Sequence, residues 1–175
     1  MSGRQPWGWH RLEPQWAELI VTAAGVRPGE LVVELGAGTG SLTVPLLDAG
    51  ARVIAVELHA QRSASLRRRL AGRDLLVVET DVRAFRLPAR PFRVVANPPF
   101  ALTAAILSML GSARSLTRAD LLLQRAVVRQ IEIGARRSAR GFAGRRLLDL
   151  PRTAFIPRAP VDSSVITLRP RRRNG

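Results

Sequence analysis

Cysteine is absent from the 175-residue chain, which removes disulfides, thiolate metal sites and Cys nucleophiles from consideration. Histidine is nearly absent: with only His10 and His59, no histidine-built metal centre is expected. No apolar run approaches the length of a membrane span, and Met1 to Trp16 carries no signal-peptide core. We therefore expect a cytoplasmic chain with no metal and no membrane partner. Lysine is missing altogether, so all 28 cationic side chains are arginine, against 13 acids. Gene base composition alone can put arginine for lysine. It does not explain a net charge of +15.

That charge is uneven. Residues 1–100 hold 13 Arg against 9 acids, net +4, whereas 101–175 hold 15 against 4, net +11. A concentrated positive face favours a polyanion, and arginine forks suit phosphate oxygens, so nucleic acid is the first expectation. Hydrophobic residues make up 46%, enough for one domain with a sizeable core.

Strand and helix signals alternate along the chain. Apolar positions from Trp16 to Ala24 recur at helical spacing, and Pro28-Gly29 marks a turn. Leu31–Leu35 reads as a strand, followed by Gly36-Ala37-Gly38-Thr39-Gly40 and a helix over Ser41–Leu47. Further strands are expected at Arg52–Glu57, Leu75–Val78, Phe92–Ala96 and Ala119–Leu123. Helices are expected at Gln61–Leu70, Thr103–Leu110 and Gln124–Ile133. Gly134–Arg146, with five arginines and three glycines, reads as a flexible basic loop. Leu147–Leu150 and Ser164–Leu168 are the last strand candidates, and Arg169–Gly175 reads as a basic tail. This order predicts an α/β fold with a mostly parallel sheet, whose ligands lie across the C-terminal strand ends. Those ends carry the glycine loop, Glu57, Asp81 and Asn97.

Asn97-Pro98-Pro99-Phe100 has a chemical use at such a site. An exocyclic amine on a base is a weak nucleophile because its lone pair is delocalised into the ring. Two acceptors aimed at its N–H groups, the Asn97 amide oxygen and the Pro98 carbonyl, would turn that lone pair toward an electrophile. Successive prolines fix φ and offer no competing N–H, and Phe100 can stack on an unstacked base. The spacing E-x-G-x-G-x-G differs from the dinucleotide fingerprint and resembles that of S-adenosylmethionine-dependent methyltransferases. Glu57 is placed to accept from ribose hydroxyls and Asp81 from the adenine amine. Solvated strand ends and a Pro-rich turn are the plainer reading of each feature alone.

Together these residues resemble the rRNA adenine N6-methyltransferase family, which comprises the Erm resistance methyltransferases and the KsgA/Dim1 enzymes. The resemblance runs from about Trp9 to Leu168 and includes Gln124-Arg125. It also includes the late segment Phe155-Ile156-Pro157-Arg158-Ala159-Pro160-Val161-Asp162-Ser163, similar to the family's F-x-P-x-P-x-V-D-S. The Trp7-Gly8-Trp9-His10 opening and the small size look most like short actinobacterial Erm proteins.

The resemblance implies a Rossmann-like class I fold with a seven-stranded, mostly parallel sheet and helices on both faces. It implies S-adenosylmethionine held by His10, Leu12, Gly36, Ala37, Gly38, Gly40, Glu57, Leu58, Asp81, Val82 and Asn97, and catalysis by Asn97, Pro98, Phe100 and Phe155. The implied substrate is an adenine of 23S rRNA at the peptide exit tunnel, with macrolide, lincosamide and streptogramin B resistance as the outcome. Where relatives carry Gln-Asn-Phe-Leu, this chain has Trp9-His10-Arg11-Leu12. Residues 1–168 are expected to form a catalytic domain acting as a monomer. The family's C-terminal helical domain is expected to be missing, which leaves substrate grip to Arg136–Arg146 and Arg169–Arg173. Methylation of 16S rRNA or of protein side chains, and non-catalytic RNA binding, are the competing readings.

Overall fold

The computed structural model describes residues 10–171; Trp7 and Trp9 at the start and Arg172–Gly175 at the end lie outside the described residues. The first elements are a two-residue strand β1 (Arg11–Leu12), helix α1 (Pro14–Ala24), strand β2 (Leu31–Leu35) and helix α2 (Thr43–Asp48). Then come β3 (Arg52–Glu57), α3 (Ala60–Arg69), β4 (Leu75–Glu79), β5 (Phe92–Ala96), α4 (Thr103–Gly111), β6 (Leu116–Gln124) and α5 (Arg125–Glu132). The chain closes with β7 (Phe142–Leu150), the two-residue β8 (Phe155–Ile156) and β9 (Ser163–Pro170). Local chemistry sets several of these bounds. Pro14 occupies the first turn of α1, where its missing N–H is harmless, and Gly25 ends that helix in the left-handed region. Arg67, Arg68 and Arg69 fill the last turn of α3, where cations complement the helix dipole.

Seven strands form one sheet in the order β4-β3-β2-β5-β6-β9-β7. The first five are parallel; β9 runs antiparallel between β6 and β7. Both faces are covered, so the central strands read as continuous apolar runs rather than alternating ones. One apolar cluster packs α1, α2 and α3 through Ile20, Leu46 and Leu66; the other packs α4 and α5 through Leu107 and Val128. The mostly parallel seven-stranded sheet is as expected from the sequence.

The connection after β2 moves outward to β3 and β4, then returns past β2 to β5. The strand order therefore reverses between β2 and β5, and the crevice above that reversal is where such sheets hold ligands. At the opposite strand ends Arg93 donates to Asp120 Oδ2 at 2.7 Å, to the Ala24 carbonyl at 2.8 Å and to Glu30 at 2.8 Å. Asp120 Oδ1 also accepts from Arg118 and from the Thr167 hydroxyl.

Two expectations need correction. Residues 134–146 are not a flexible loop: a short 3-10 turn at Arg137–Ala139 leads into β7, which starts at Phe142. Phe142 is buried, and a Cβ at Gly144 would meet Ile131 at 3.0 Å and Ile166 at 3.1 Å, so a few apolar contacts anchor a stretch whose composition is basic. Nor does a tail begin at residue 169, because Arg169 and Pro170 pair with Ala143 and Phe142 in the sheet.

A separate two-stranded ribbon, unforeseen in the sequence, pairs Arg11 with Ile156 and Leu12 with Phe155. It brings His10, Arg11 and Leu12 beside Gly36, Ala37 and Asn97 at the strand ends.

Candidate active site

The glycine loop sits above the strand reversal. Gly36 and Ala37 N–H both donate to the Val56 carbonyl, at 2.8 and 2.9 Å, which binds the loop to β3. Gly36 has φ +79°, and a Cβ there would meet Pro99 Cδ at 3.3 Å. The loop after β2 and the Pro-Pro corner after β5 therefore touch, and a residue without a side chain lets them. At Gly40 a Cβ would come within 2.7 Å of Leu66.

Glu57 is buried behind this loop. Its Oε2 accepts the Gly38 N–H at 2.7 Å and its Oε1 accepts the His59 N–H at 2.9 Å, with Arg62 at 3.9 Å. The carboxylate thus holds the loop to the end of β3, a role the sequence did not announce.

Glu34 is the residue that the sequence reading passed over, although it opens the E-x-G-x-G-x-G motif. It is 2% exposed and accepts the Thr43 hydroxyl at 2.5 Å. Burial, followed by the nearby Glu57 charge and opposed by the Thr43 bond, pushes its carboxyl up to about 8. Glu34 lines an open cleft together with His10, Arg11, Leu12, Gly36, Ala37 and Asn97; Thr39, Ser41 and Leu42 complete it. Five expected ligand-binding residues meet there: His10, Leu12, Gly36, Ala37 and Asn97.

Asn97 is half-buried at the end of β5, and its side-chain amide makes no hydrogen bond to the described residues. No hydrogen bond from the described residues reaches the Pro98 carbonyl either, whereas the Pro99 carbonyl accepts the Leu102 N–H at 2.9 Å. Phe100 is partly exposed and opens a 3-10 turn that Thr103 stabilises by donating to its carbonyl. Asn97 thus lines the cleft, whereas Pro98 is buried and neither it nor Phe100 reaches the cleft wall.

Other expected residues lie further out. Asp81 caps the turn Val82–Ala84 through the Arg83 N–H, and its carboxylate is held by the Arg83 side chain at 2.6 Å. The Arg83 hydrogen bonds bring its carboxyl down to about 2. Val82 is buried, and Leu58 stands 55% exposed beside Glu57. Phe155 is 3% exposed, with its side chain in the core and its ring edge-on to His10 at 6.5 Å. The β1–β8 pairing turns it inward with Leu12, so in this arrangement it offers no face to a base.

His10 Nδ1 donates to the Pro157 carbonyl at 2.9 Å, which fixes the proton on that nitrogen and leaves Nε2 toward other partners. Arg125 braces the late segment: its N–H donates to the Asp162 carbonyl, and its guanidinium lies 3.6 Å from the Asp162 carboxylate. The family spacing is not kept throughout, since Ala159 stands where the second proline is usual and Pro160 follows it. Among the described residues no group of three or more His, Cys, Asp or Glu could hold a metal ion, and no helix is long and apolar enough to cross a membrane.

The sheet order, the glycine loop at the strand reversal and the cleft beside it define a class I S-adenosylmethionine-dependent methyltransferase fold. The donor set suits that molecule: a buried acid and a free amide face a cleft walled by a glycine loop. Residues 12–174 match the family model for ribosomal RNA adenine dimethylase, and the chain belongs to that family of S-adenosylmethionine-dependent rRNA adenine methyltransferases. It is 36% identical to the ribosomal RNA small subunit methyltransferase A of Thermosynechococcus vestitus, over 94% of this chain and 68% of that protein. An rRNA adenine N-6-methyltransferase of Corynebacterium diphtheriae is 35% identical over 79% of this chain and 57% of its own length. Among solved structures the 23S rRNA methyltransferase ErmE is similar, with TM-score 0.81 and 29% identity over 91% of this chain and 68% of that one. The chain thus spans about half to two thirds of the length of these relatives.

Proposed function

We propose that this protein transfers a methyl group from S-adenosylmethionine to N6 of an adenine in 23S rRNA at the peptide exit tunnel, and so confers macrolide, lincosamide and streptogramin B resistance. The observation that carries the chemistry is the pair of unpartnered acceptors, the Asn97 amide and the Pro98 carbonyl, beside Gly36. S-adenosylmethionine, when bound, supplies an electrophilic methyl group. Asn97 Oδ1 and the Pro98 carbonyl each accept one N6–H, which localises the nitrogen lone pair for in-line attack. Phe100 stacks on the extruded base, a contact worth about 1–3 kcal/mol, against an unstacking cost of similar size. No strong general base is needed, because the amine becomes acidic on methylation and loses its proton to water. Glu34 and the glycine loop would hold the amino-acid end of the cofactor, and Glu57 and Asp81, whose carboxylates already have protein partners, would supply further acceptors for its ribose and adenine.

The 23S assignment draws on the likeness to the 23S rRNA methyltransferase ErmE. A second reading, methylation of 16S rRNA, is favoured by relatives named ribosomal RNA small subunit methyltransferase A. Primer extension on both rRNAs, from cells with and without the protein, separates them. A stop at an exit-tunnel adenine of 23S rRNA is the expected result, and a modification confined to 16S rRNA overturns it.

A further inference from the structure

The geometry points to the outer face of the β1–β8 ribbon and its following loop as the surface that holds the RNA strand next to the target base. This inference rests on the RNA reading above.

In the ribbon, Leu12 and Phe155 are register partners turned to the core, so Arg11 and Ile156, the other register pair, face outward. Ile156 and Val161 are two of the six large apolar side chains exposed among the described residues, and both belong to this loop. Arg152 and Arg158 are exposed beside them. The Ala159 N–H donates to the Arg152 carbonyl at 3.1 Å, which brings the two arginine-bearing turns together.

None of the Arg11, Arg152 and Arg158 guanidinium groups has an ion pair or hydrogen bond with the described residues. Across the sheet Arg52, Arg67, Arg73 and Arg83 are each paired with an acid, whereas Arg68, Arg86 and Arg90 have no such partner among the described residues. The loop's own acid, Asp162, is already engaged by the Arg152 N–H and by Arg125. Positive charge on this face is therefore uncompensated, and apolar surface is interleaved with it. Those are the two ingredients of a groove for single-stranded nucleic acid: cations for phosphates and flat or apolar patches for bases.

The surface is also held in place. The His10 bond to Pro157, the Glu13 N–H bond to Ala154 and the Arg125 N–H bond to Asp162 fix its backbone from three sides. It adjoins the cleft, because His10 and Arg11 line the same opening as Asn97. A flipped adenine at Asn97 would leave its neighbouring phosphates over this face.

The test compares the full-length R152Q/R158Q variant with an R68Q/R114Q control. The control removes equal charge at the far strand ends, where Arg68 lies in the last turn of α3 and Arg114 precedes β6. Binding of a single-stranded oligoadenylate is followed across a salt series, and methylation of protein-free rRNA is measured alongside. Two lost phosphate contacts flatten the salt slope of R152Q/R158Q by about 1.4. Its KM for rRNA rises several-fold, with kcat and cofactor affinity kept, while the control keeps the original slope. Normal methylation with equal slopes in both variants overturns this surface alone. Absence of rRNA methylation by the unaltered protein overturns the functional reading together with it.

Discussion

The two ends of the one sheet are built on opposite terms. At the N-terminal strand ends Arg93, Glu30, Asp120, Arg118 and Thr167 close on one another, and Asp120 is fully buried. At the C-terminal ends the Asn97 amide and the Pro98 carbonyl have no partner among the described residues, and Glu34 is buried with Thr43 as its hydrogen-bonding neighbour. At the closed end both terminal nitrogens of Arg93 and both Asp120 oxygens are engaged in holding strands together, and only Arg93 Nε is left without a partner. Polar groups at the open end are held in place by neighbours but left with capacity for a ligand. The same sheet thus separates what sustains the fold from what acts on a substrate.

Four substitutions sharpen or break this contrast. Asp120→Ala leaves the Arg93 guanidinium short of its partner in the core and is expected to cost about 3–5 kcal/mol in urea unfolding. The protein that remains folded should bind cofactor normally; an unfolding midpoint equal to wild type would mean the closed end is not a keystone. Asn97→Ala is expected to lower kcat by about 10²–10³ with no change in the unfolding midpoint. A large loss of stability there would erase the difference between the ends.

Glu34 gives a pH signature. The folded protein keeps this proton up to about pH 8, whereas the unfolded chain releases it near 4.5. Below 4.5 both states are protonated and the group contributes nothing; between the two values the unfolded state binds fewer protons, so stability falls with rising pH. The expected decline is about 1.4 kcal/mol per pH unit, and Glu34→Gln should remove it from a series of unfolding curves. Gly36→Ala is the mildest: the positive φ costs about 1–2 kcal/mol, and the methyl presses on Pro99. Cofactor affinity, read by calorimetry, should fall along with the melting temperature.

Much of the open end was legible because its signals are local. A β-branched run stopping at Asn97-Pro98-Pro99, or at a glycine string, marks a strand end without reference to the rest of the chain. The coincidence of four such ends then predicts a single crevice. What escaped depends on partners distant in sequence. Nothing near Arg11 announces that it pairs with Ile156, and so nothing showed that Phe155 would be turned into the core. Residues 134–146 misled through composition: the charged heads of Arg145 and Arg146 lie outward, while Phe142 and Gly144 decide the packing. Glu34 was hidden by its surroundings, since an acid inside an apolar strand is visible but its isolation from water is not.

The pairing of Arg11 with Ile156 also bears on the order in which the molecule is made. The wall of the cleft formed by His10 to Leu12 needs a strand that leaves the ribosome some 145 residues later. A nascent chain can lay down β2 to β5 and their glycine loop early, yet the cleft beside that loop lacks its His10–Leu12 wall until the last segments arrive. A copy that ended before β8 would lack that wall and would also lack β9, whose Val165, Ile166 and Leu168 lie in the two apolar clusters.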